Sequence, residues 1–374
     1  VMPVVSVIIP TYNRSDTILR AVRGVQAQTF QDLEIILVDD GSTDDTLDLL
    51  KDIDPRLKII RQERQGASAA RNIGIKKSSG KYIAMLDSDD EWYPLYLEAC
   101  VAFLESHPDE DVVQTEYEWN KGKTPYEILP ITEIVQLFFP LAQKIHSTEL
   151  DLPDGETDDY LRIYQQRLSV DSWGKNILDK VPNSRLYHYK GNIFNYWRWG
   201  YMMTVWSTVL TRRAFDKVGG FDTSLKSAND FHFLTKLCRA YPVNLLSFPA
   251  CIKHEVSDAG LPTTEEHLAS GKNTLRFELS WLKQYDDIFL KNNPDDHITR
   301  LIRARRLLWI SHAALWNHQG KVALQYAEEA LLSDPNFPRA RIMRNLLKYI
   351  PNFYLAGSIY ALFTSLEQRI RRLL

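Results

Sequence analysis

Tyr82 to Leu86 is an apolar, strand-prone run that breaks off into Asp87-Ser88-Asp89-Asp90-Glu91. Such a run reads as a buried strand of a largely parallel sheet, and ligands of open α/β sheets sit outside the carboxyl ends of their strands. Asp87 and Asp89 therefore stand at a ligand-bearing edge. Alternation at the strand end can aim both carboxylates at one point, where two anions need a cation to offset their repulsion. Oxygen donors suit Mg2+ or Mn2+, which keep positions open for phosphate oxygens. The plainer alternative is a polar turn that caps a helix starting near Pro94.

The same arrangement recurs upstream. Val4 to Ile9 ends in Pro10-Thr11-Tyr12-Asn13 and leads to a helical pattern through Ile18, Leu19, Val22 and Val25. Leu33 to Val38 closes on Asp39-Asp40-Gly41-Ser42-Thr43-Asp44, before a helix through Leu47, Leu49 and Leu50. Asp39 and Asp40 read by themselves as a turn and a helix cap. Leu57 to Arg61 is a third strand, and Gly66 to Asn72 opens a helix whose small residues suit close packing on a sheet. Strands alternating with short helices predict a parallel, doubly wound sheet. A helix from Glu91 to His107 and a strand from Val112 to Tyr117 follow.

The totals narrow the class. At 374 residues, 44% hydrophobic and 25% charged, the chain is long enough for two or three domains. Its net charge of −3 gives no footprint for nucleic acid. Cys100, Cys238 and Cys251 lack metal-ligand spacing and read as buried thiols of a reducing compartment. Val1 onward has no signal-peptide pattern, and no apolar run reaches spanning length, so the expected location is cytoplasmic.

Further along, residues 120 to 200 carry an aromatic cluster that includes Tyr187, Tyr189, Phe194, Tyr196, Trp197, Trp199 and Tyr201. A short strand at Ser207 to Leu210 precedes Gly219-Gly220-Phe221-Asp222, and Asn229-Asp230 opens the helix of Phe231, Phe233, Leu234 and Leu237. Taken alone, Asp230 is an N-terminal charge favoured by the helix dipole. Val243 to Phe248 is the next strand, followed by Lys253-His254. From Thr264 the pattern turns helical, and Ala313 to Ala340 is similar to half of a tetratricopeptide repeat; a helical hairpin is the favoured reading. The tail, Phe353 to Leu374, pairs an apolar stripe with Arg369, Arg371 and Arg372. It reads as a docking helix, with peripheral contact to the inner face of an anionic membrane as the alternative.

Val5 to Asn13, Val38 to Asp44, Gly66 to Gly74 and Leu86 to Asp90 together resemble the nucleotide-sugar-binding half of family 2 glycosyltransferases. The resemblance implies an α/β fold of GT-A type, a Rossmann-like, mostly parallel sheet flanked by helices, with an α-helical C-terminal region. It divides the chain into a nucleotide-sugar half over 1–110, an acceptor and catalytic-base half over 111–263, and a helical region over 264–374. Pro10, Thr11, Tyr12 and Asp40 are implied to hold the nucleobase, usually uracil, whose imide N–H a carboxylate can accept. Arg71 and Asn72 match positions near the nucleotide, Arg71 offsetting phosphate charge. Asp87 and Ser88 lie in the element that binds ribose and diphosphate, and Asp89, with Asp87, is implied to hold Mn2+ or Mg2+. His254 matches a position where a histidine joins the metal or touches the diphosphate. Asp230 maps onto the catalytic base, although Asn229 stands where the family more often has Glu.

The implied activity is metal-dependent, inverting transfer from a nucleoside-diphosphate sugar, with UDP favoured, to a hydroxyl of a saccharide, lipid-linked or glycoconjugate acceptor. Trp197 and Trp199 are candidates to stack on that acceptor, core packing being the competing role. A nucleotidyltransferase would need a glycine-rich phosphate loop after the first strand, and Pro10 to Arg14 has no glycine. A phosphatase with an Asp nucleophile would leave the Asp40 and Asp230 blocks unexplained. A noncatalytic carbohydrate-binding or scaffold protein that kept the fold is the alternative from another class.

Overall fold

Four apolar runs build the parallel half of one sheet. β1 (Val5–Thr11), β2 (Leu33–Asp39), β3 (Leu57–Arg61) and β4 (Tyr82–Met85) lie in the order β3-β2-β1-β4, all pairs parallel. Thr11 pairs with Asp39 and Asp39 with Arg61, so the loops after β1, β2 and β3 leave from one edge. Helices α1 (Ile18–Gln26) and α2 (Ala67–Lys77) cover this half. A Cβ at Gly74 of α2 would stand 2.6 Å from Ile8 Cγ2 and 3.1 Å from Val38 Cγ2. Glycine there lets the helix lie directly on β1 and β2.

The computed structural model describes residues 2–120, 159–170, 172–178, 180, 186–197, 203–225, 227–254 and 271–350. It separates into two compact units, Val1–Thr263 and Thr264–Leu374.

Beyond β4 the first unit becomes mixed. β5 (Glu91–Trp92) and α3 (Tyr96–Ser106) precede β6 (Val112–Asn120). Then come α4 (Asp159–Tyr164), β7 (Gln166–Leu168), α5 (Ser172–Leu178), β8 (His188–Gly191), α6 (Phe194–Trp197) and β9 (Thr208–Thr211). Helices α7 (Arg212–Val218) and α8 (Asn229–Ala240) lead to β10 (Val243–His254). β9 lies between β4 and β6 and is antiparallel to both. β10 is parallel to β6 and antiparallel to β8 and β5. Antiparallel partners need no helical crossover, which is why strand-helix alternation predicts the first half and not the second.

Three local expectations change. The helix expected at Leu47 to Leu50 is a single 3-10 turn, because Asp44 takes the Thr46 N–H and hydroxyl and competes with helical pairing. The helix expected from Glu91 starts at Tyr96, since Glu91 and Trp92 pair with Ile252 and Cys251 as β5. The strand expected to end at Phe248 runs on to His254, with its register shifting around Pro249, which offers no N–H to the ladder.

The second unit is helical. α9 (Gly271–Tyr285) passes into a π turn, Asp286–Leu290, and α10 (His297–Trp316), α11 (Gly320–Ser333) and α12 (Pro338–Tyr349) follow. Asp296 caps α10 by accepting the Thr299 N–H at 2.8 Å. Ala313, Ala314, Ala323, Ala327, Ala330 and Ala340 are fully buried with Leu307, Ile310 and Met343. Small side chains at these positions bring α10, α11 and α12 close together as a hairpin with a third helix. Among the described residues no helix is long and apolar enough to cross a membrane. The tail from Phe353 to Leu374 lies outside the described residues.

Candidate functional site

The loops that leave β1, β2 and β3 are laced together. Asn13, at φ 49°, donates its N–H to Ser42 Oγ at 2.9 Å and accepts the Thr43 N–H at 2.8 Å. The Asp40 N–H donates to the Thr11 carbonyl at 2.8 Å. The Asp40 carboxylate is 4% exposed and holds the next loop: Oδ1 accepts Gln62 Nε2 at 2.6 Å and the Gln65 N–H at 2.7 Å, while Oδ2 accepts the Gly66 N–H at 2.7 Å. Asp39 is fully buried and accepts the Ser42 N–H. Pro10 and Thr11 are buried, and the half-exposed Tyr12 ring carries the Arg64 guanidinium 4.0 Å from its centroid.

The edge of β4 is dense in charge. Arg71, only 6% exposed, reaches from α2 to Asp87 at 2.5 Å, so it is a buried partner of that carboxylate rather than a solvated helix arginine. Asp89 is approached by Arg14 at 3.6 Å, and its backbone carbonyl accepts from Arg20 at 2.8 Å. Ser88 is buried between the two acids. Burial, reinforced by the charges of Asp89 and Asp87, pushes the Asp90 carboxyl well above the usual carboxylate range. Asp90 accepts the His254 N–H at 3.1 Å and is the least suited of the three acids to hold an ion.

The long β10 delivers His254 to this edge. Its Nε2 stands 3.2 Å from Glu91 Oε2 and its Nδ1 3.2 Å from Asn120 Nδ2. Among the described residues no three His, Cys, Asp or Glu side chains stand close enough to hold an ion by themselves. Asp87 and Asp89 nevertheless fit Mg2+ or Mn2+ shared with a ligand, because such ions bind through one or two carboxylates plus phosphate oxygens and water.

Helix α2 also ties this edge to the block before α8. Asn72 grips the Phe221 backbone at both ends, Nδ2 donating to its carbonyl and Oδ1 accepting its N–H, each at 2.8 Å. A Cβ at Gly220 would fall 2.5 Å from Asn72 Oδ1, so the grip needs glycine there. Ser68 Oγ accepts from Asn229 Nδ2 at 2.5 Å. Asp230 follows in the first turn of α8, its Oδ1 accepting the Phe231 N–H at 2.8 Å. Before it, Ala228 adopts a left-handed backbone, φ 54° and ψ 29°. An L-residue held in that region stores strain, and such strain clusters at functional turns.

The acceptor expectation for Trp197 is corrected. Its ring is fully buried, stacks on Phe231 at 5.3 Å and donates to Thr235 Oγ1 at 2.6 Å, which makes it a support beneath α8 rather than a platform for sugar. Trp199 lies outside the described residues. The three cysteines are buried free thiols.

Residues not anticipated are Arg14 and Arg20 at Asp89, Glu91 and Asn120 at His254, and Gln62 and Arg64 beside Asp40 and Tyr12. The available signal was position: Gln62 to Gln65 follow a strand at the same edge as Asp40, just before the glycine that opens α2.

The edge after β4 thus carries arginines against Asp87 and Asp89, and α2 joins it to the helix start that bears Asp230. The profile of Glycosyl transferase family 2 matches residues 6–217, more than half of the chain, and the chain belongs to that family. It is 45% identical over 105 residues to an uncharacterized glycosyltransferase of Rickettsia bellii (strain RML369-C), which covers 28% of this chain and 15% of that protein. It is 43% identical over 107 residues to the UDP-Glc:alpha-D-GlcNAc-diphosphoundecaprenol beta-1,3-glucosyltransferase WfaP of Escherichia coli, covering 28% and 43% of the two chains. An uncharacterized glycosyltransferase of Rickettsia prowazekii (strain Madrid E) matches at 28% identity over 287 residues, 77% of this chain and 70% of that one. The aligned stretch spans only 15% to 17% of the three rickettsial relatives matched at 45% identity. Among solved structures, S. aureus TarS 1-349 aligns with a TM-score of 0.51 at 18% identity, covering 94% of this chain and 88% of that one. The same protein in complex with UDP-GlcNAc gives 0.53 at 17% identity, again over 94% and 88%. At that identity the likeness is one of fold, the GT-A fold.

Proposed function

We propose that the chain is an inverting glycosyltransferase that moves a sugar from a nucleoside-diphosphate sugar, with UDP favoured, to an acceptor hydroxyl. The observation that carries this reading is the double tie of α2, through Ser68 to Asn229 and through Asn72 to Phe221, which couples the helix holding Asp87 by Arg71 to the block presenting Asp230. Family membership supports the reaction class, and the UDP and UDP-GlcNAc complexes of TarS support the donor.

In this reading Asp230 takes the proton from the acceptor hydroxyl as its oxygen attacks the anomeric carbon, and the nucleoside diphosphate leaves from the opposite face. One displacement inverts the anomeric centre and needs no protein nucleophile. Asn229 in place of a glutamate leaves this base uncrowded by a second carboxylate, and the Phe231 N–H fixes one of its oxygens. Arg71 orients Asp87 and brings positive charge toward the diphosphate. Asp89 and Asp87, with His254 nearby, would hold a divalent ion, which when bound supplies charge neutralisation to the leaving group. The acceptor is a saccharide hydroxyl; WfaP, named for an acceptor that is a diphosphoundecaprenol-linked sugar, makes lipid-linked sugars the first acceptors to try.

The test is calorimetric binding of UDP, GDP and dTDP with and without Mn2+, on wild type and Asp89→Ala, followed by product detection with UDP-sugars. The expected outcome is metal-dependent UDP binding lost in Asp89→Ala. Asp230→Asn should keep UDP binding and lose at least about 100-fold in turnover, the scale of general-base catalysis. Retained turnover in Asp230→Asn would remove the assignment of the base, and absence of any nucleotide binding would favour a noncatalytic scaffold.

A further inference from the structure

The chain carries its charge unevenly. The helical unit, Thr264–Leu374, holds 16 Lys and Arg against 11 Asp and Glu, a surplus of five, whereas the whole chain stands at −3, which leaves −8 on Val1–Thr263. Asymmetry of this kind marks a unit that meets an anionic surface. Within the helical unit the surplus is concentrated further: α10 and α12 together hold eight Arg and Lys and no Asp or Glu, while α11 holds Lys321, Glu328 and Glu329.

Part of this charge is structural. Arg303 pairs with Asp286 at 2.8 Å and Arg306 with Glu278, and these two pairs tie α10 to the π turn and to α9. The rest has no carboxylate to meet. Among the described residues Arg300, Arg305, Arg341, Arg344 and Lys348 make no ion pair. Arg341 donates to the Pro335 carbonyl at 2.8 Å, Arg344 to Asn345 Oδ1 at 2.6 Å, and Lys348 lies 5.7 Å from the centre of the Tyr349 ring. The two helices are neighbours, sharing the core of Leu307, Ile310, Ala340 and Met343. Burial and the charge of Arg339 on α12 push His312 of α10 down to about 4 and lower Arg305, Asp334 offsetting part of the latter.

Exposed aromatic rings accompany these cations. Tyr349 at the end of α12 is 72% exposed and Trp309 of α10 is 43% exposed. Tyr and Trp are the side chains that settle at the headgroup level of a bilayer, with the ring toward the acyl boundary and the polar atom in water. We propose that the α10 and α12 face of the helical unit docks the protein on a membrane surface rich in anionic lipid phosphates. Its unpaired cations meet the phosphates, and its exposed rings supply the apolar contact. A nucleic acid duplex would meet the cations but not the rings. The tail was the segment from which such contact was expected; α10 and α12 carry the charge for it without the tail, and the inference does not rest on the donor reading above.

Co-sedimentation of the full chain with vesicles of phosphatidylcholine, alone or with about one-third phosphatidylglycerol, tests it. Binding is expected to the anionic vesicles only, and to fall at least about tenfold between roughly 0.1 M and 0.5 M salt. The triple variant Arg341→Gln, Arg344→Gln, Lys348→Gln should bind about 100-fold more weakly, each cation at such a surface being worth about fivefold. Should the triple variant not fold, Arg341→Gln with Lys348→Gln, at two exposed positions, should lose about 25-fold by the same measure. Tyr349→Ser should weaken binding while leaving its salt dependence unchanged, which separates the ring from the charge. Equal binding to both kinds of vesicle, binding to neither, or folded charge variants that bind as wild type does would overturn the proposal. So would binding of a DNA duplex by a protein that ignores the vesicles, which would assign the face to nucleic acid.

Discussion

Glu34 offers a sharp test of how the nucleotide half is held together. From β2 its Oε1 accepts the Ser6 hydroxyl at 2.9 Å, the Ser79 N–H at 2.6 Å and the Ser79 hydroxyl at 2.9 Å, while Oε2 accepts Lys58 Nζ at 2.8 Å. Ser6 Oγ also accepts the Gly80 N–H at 2.8 Å. One carboxylate therefore joins β1, β2, β3 and the turn into β4. Burial by itself would raise its pKa; the bonds from Lys58, the Ser79 N–H and the Ser6 and Ser79 hydroxyls outweigh that and lower it from 4.5 to about 2.

The sign follows from the direction. A carboxyl with a depressed native pKa contributes its full stabilisation above its unfolded value, 4.5, and loses it as pH falls through the native value, about 2. A difference of that size corresponds to about 3 kcal/mol at neutral pH. The carboxylate is only 6% exposed, so little of this is lost to solvent screening, whereas Lys58 is 65% exposed and its share is below about 1 kcal/mol. With the Lys58 share discounted, Glu34→Gln should therefore unfold about 2 kcal/mol more easily at pH 7, with the gap to wild type closing between pH 4.5 and 2. Urea unfolding followed by hydrogen exchange of the β1 to β4 peptides, corrected for intrinsic exchange, reads this unit without the helical one. A gap that stays constant from pH 7 to pH 2 would refute the charge argument.

Two further perturbations address the link between α2 and α8. Asn72→Ala removes both bonds to the Phe221 backbone and should cost about 2 kcal/mol together with a loss of kcat, measured by urea unfolding and by product formation; unchanged kcat in a destabilised protein would confine Asn72 to folding. Ala228→Gly relieves a left-handed backbone worth about 1 kcal/mol, so thermal stability should hold or rise while kcat falls several-fold, because the turn no longer fixes the entry to Asp230. An unaltered kcat would show that the strain has no part in placing the base.

What sequence made legible here, and what it did not, follows the range of the interactions. The strands β1 to β4 and their acidic tips stand out because apolar runs and the loops after them are contiguous in the chain. The identity of β9 as the strand between β4 and β6, and the length of β10, depend on partners on the order of a hundred residues away and leave no periodic mark. Side chains follow the same rule. Asn72 reads as a neighbour of the nucleotide, whereas its amide closes on Phe221, 149 positions distant. Trp197 reads equally well as a sugar platform or as core, and only Thr235 and Phe231 decide it. Asp40 makes the point most directly: a carboxylate at a strand end reads from its immediate neighbours as a turn, a cap or a ligand acceptor, and only the fold shows that it also ties down backbone N–H groups 25 and 26 positions ahead.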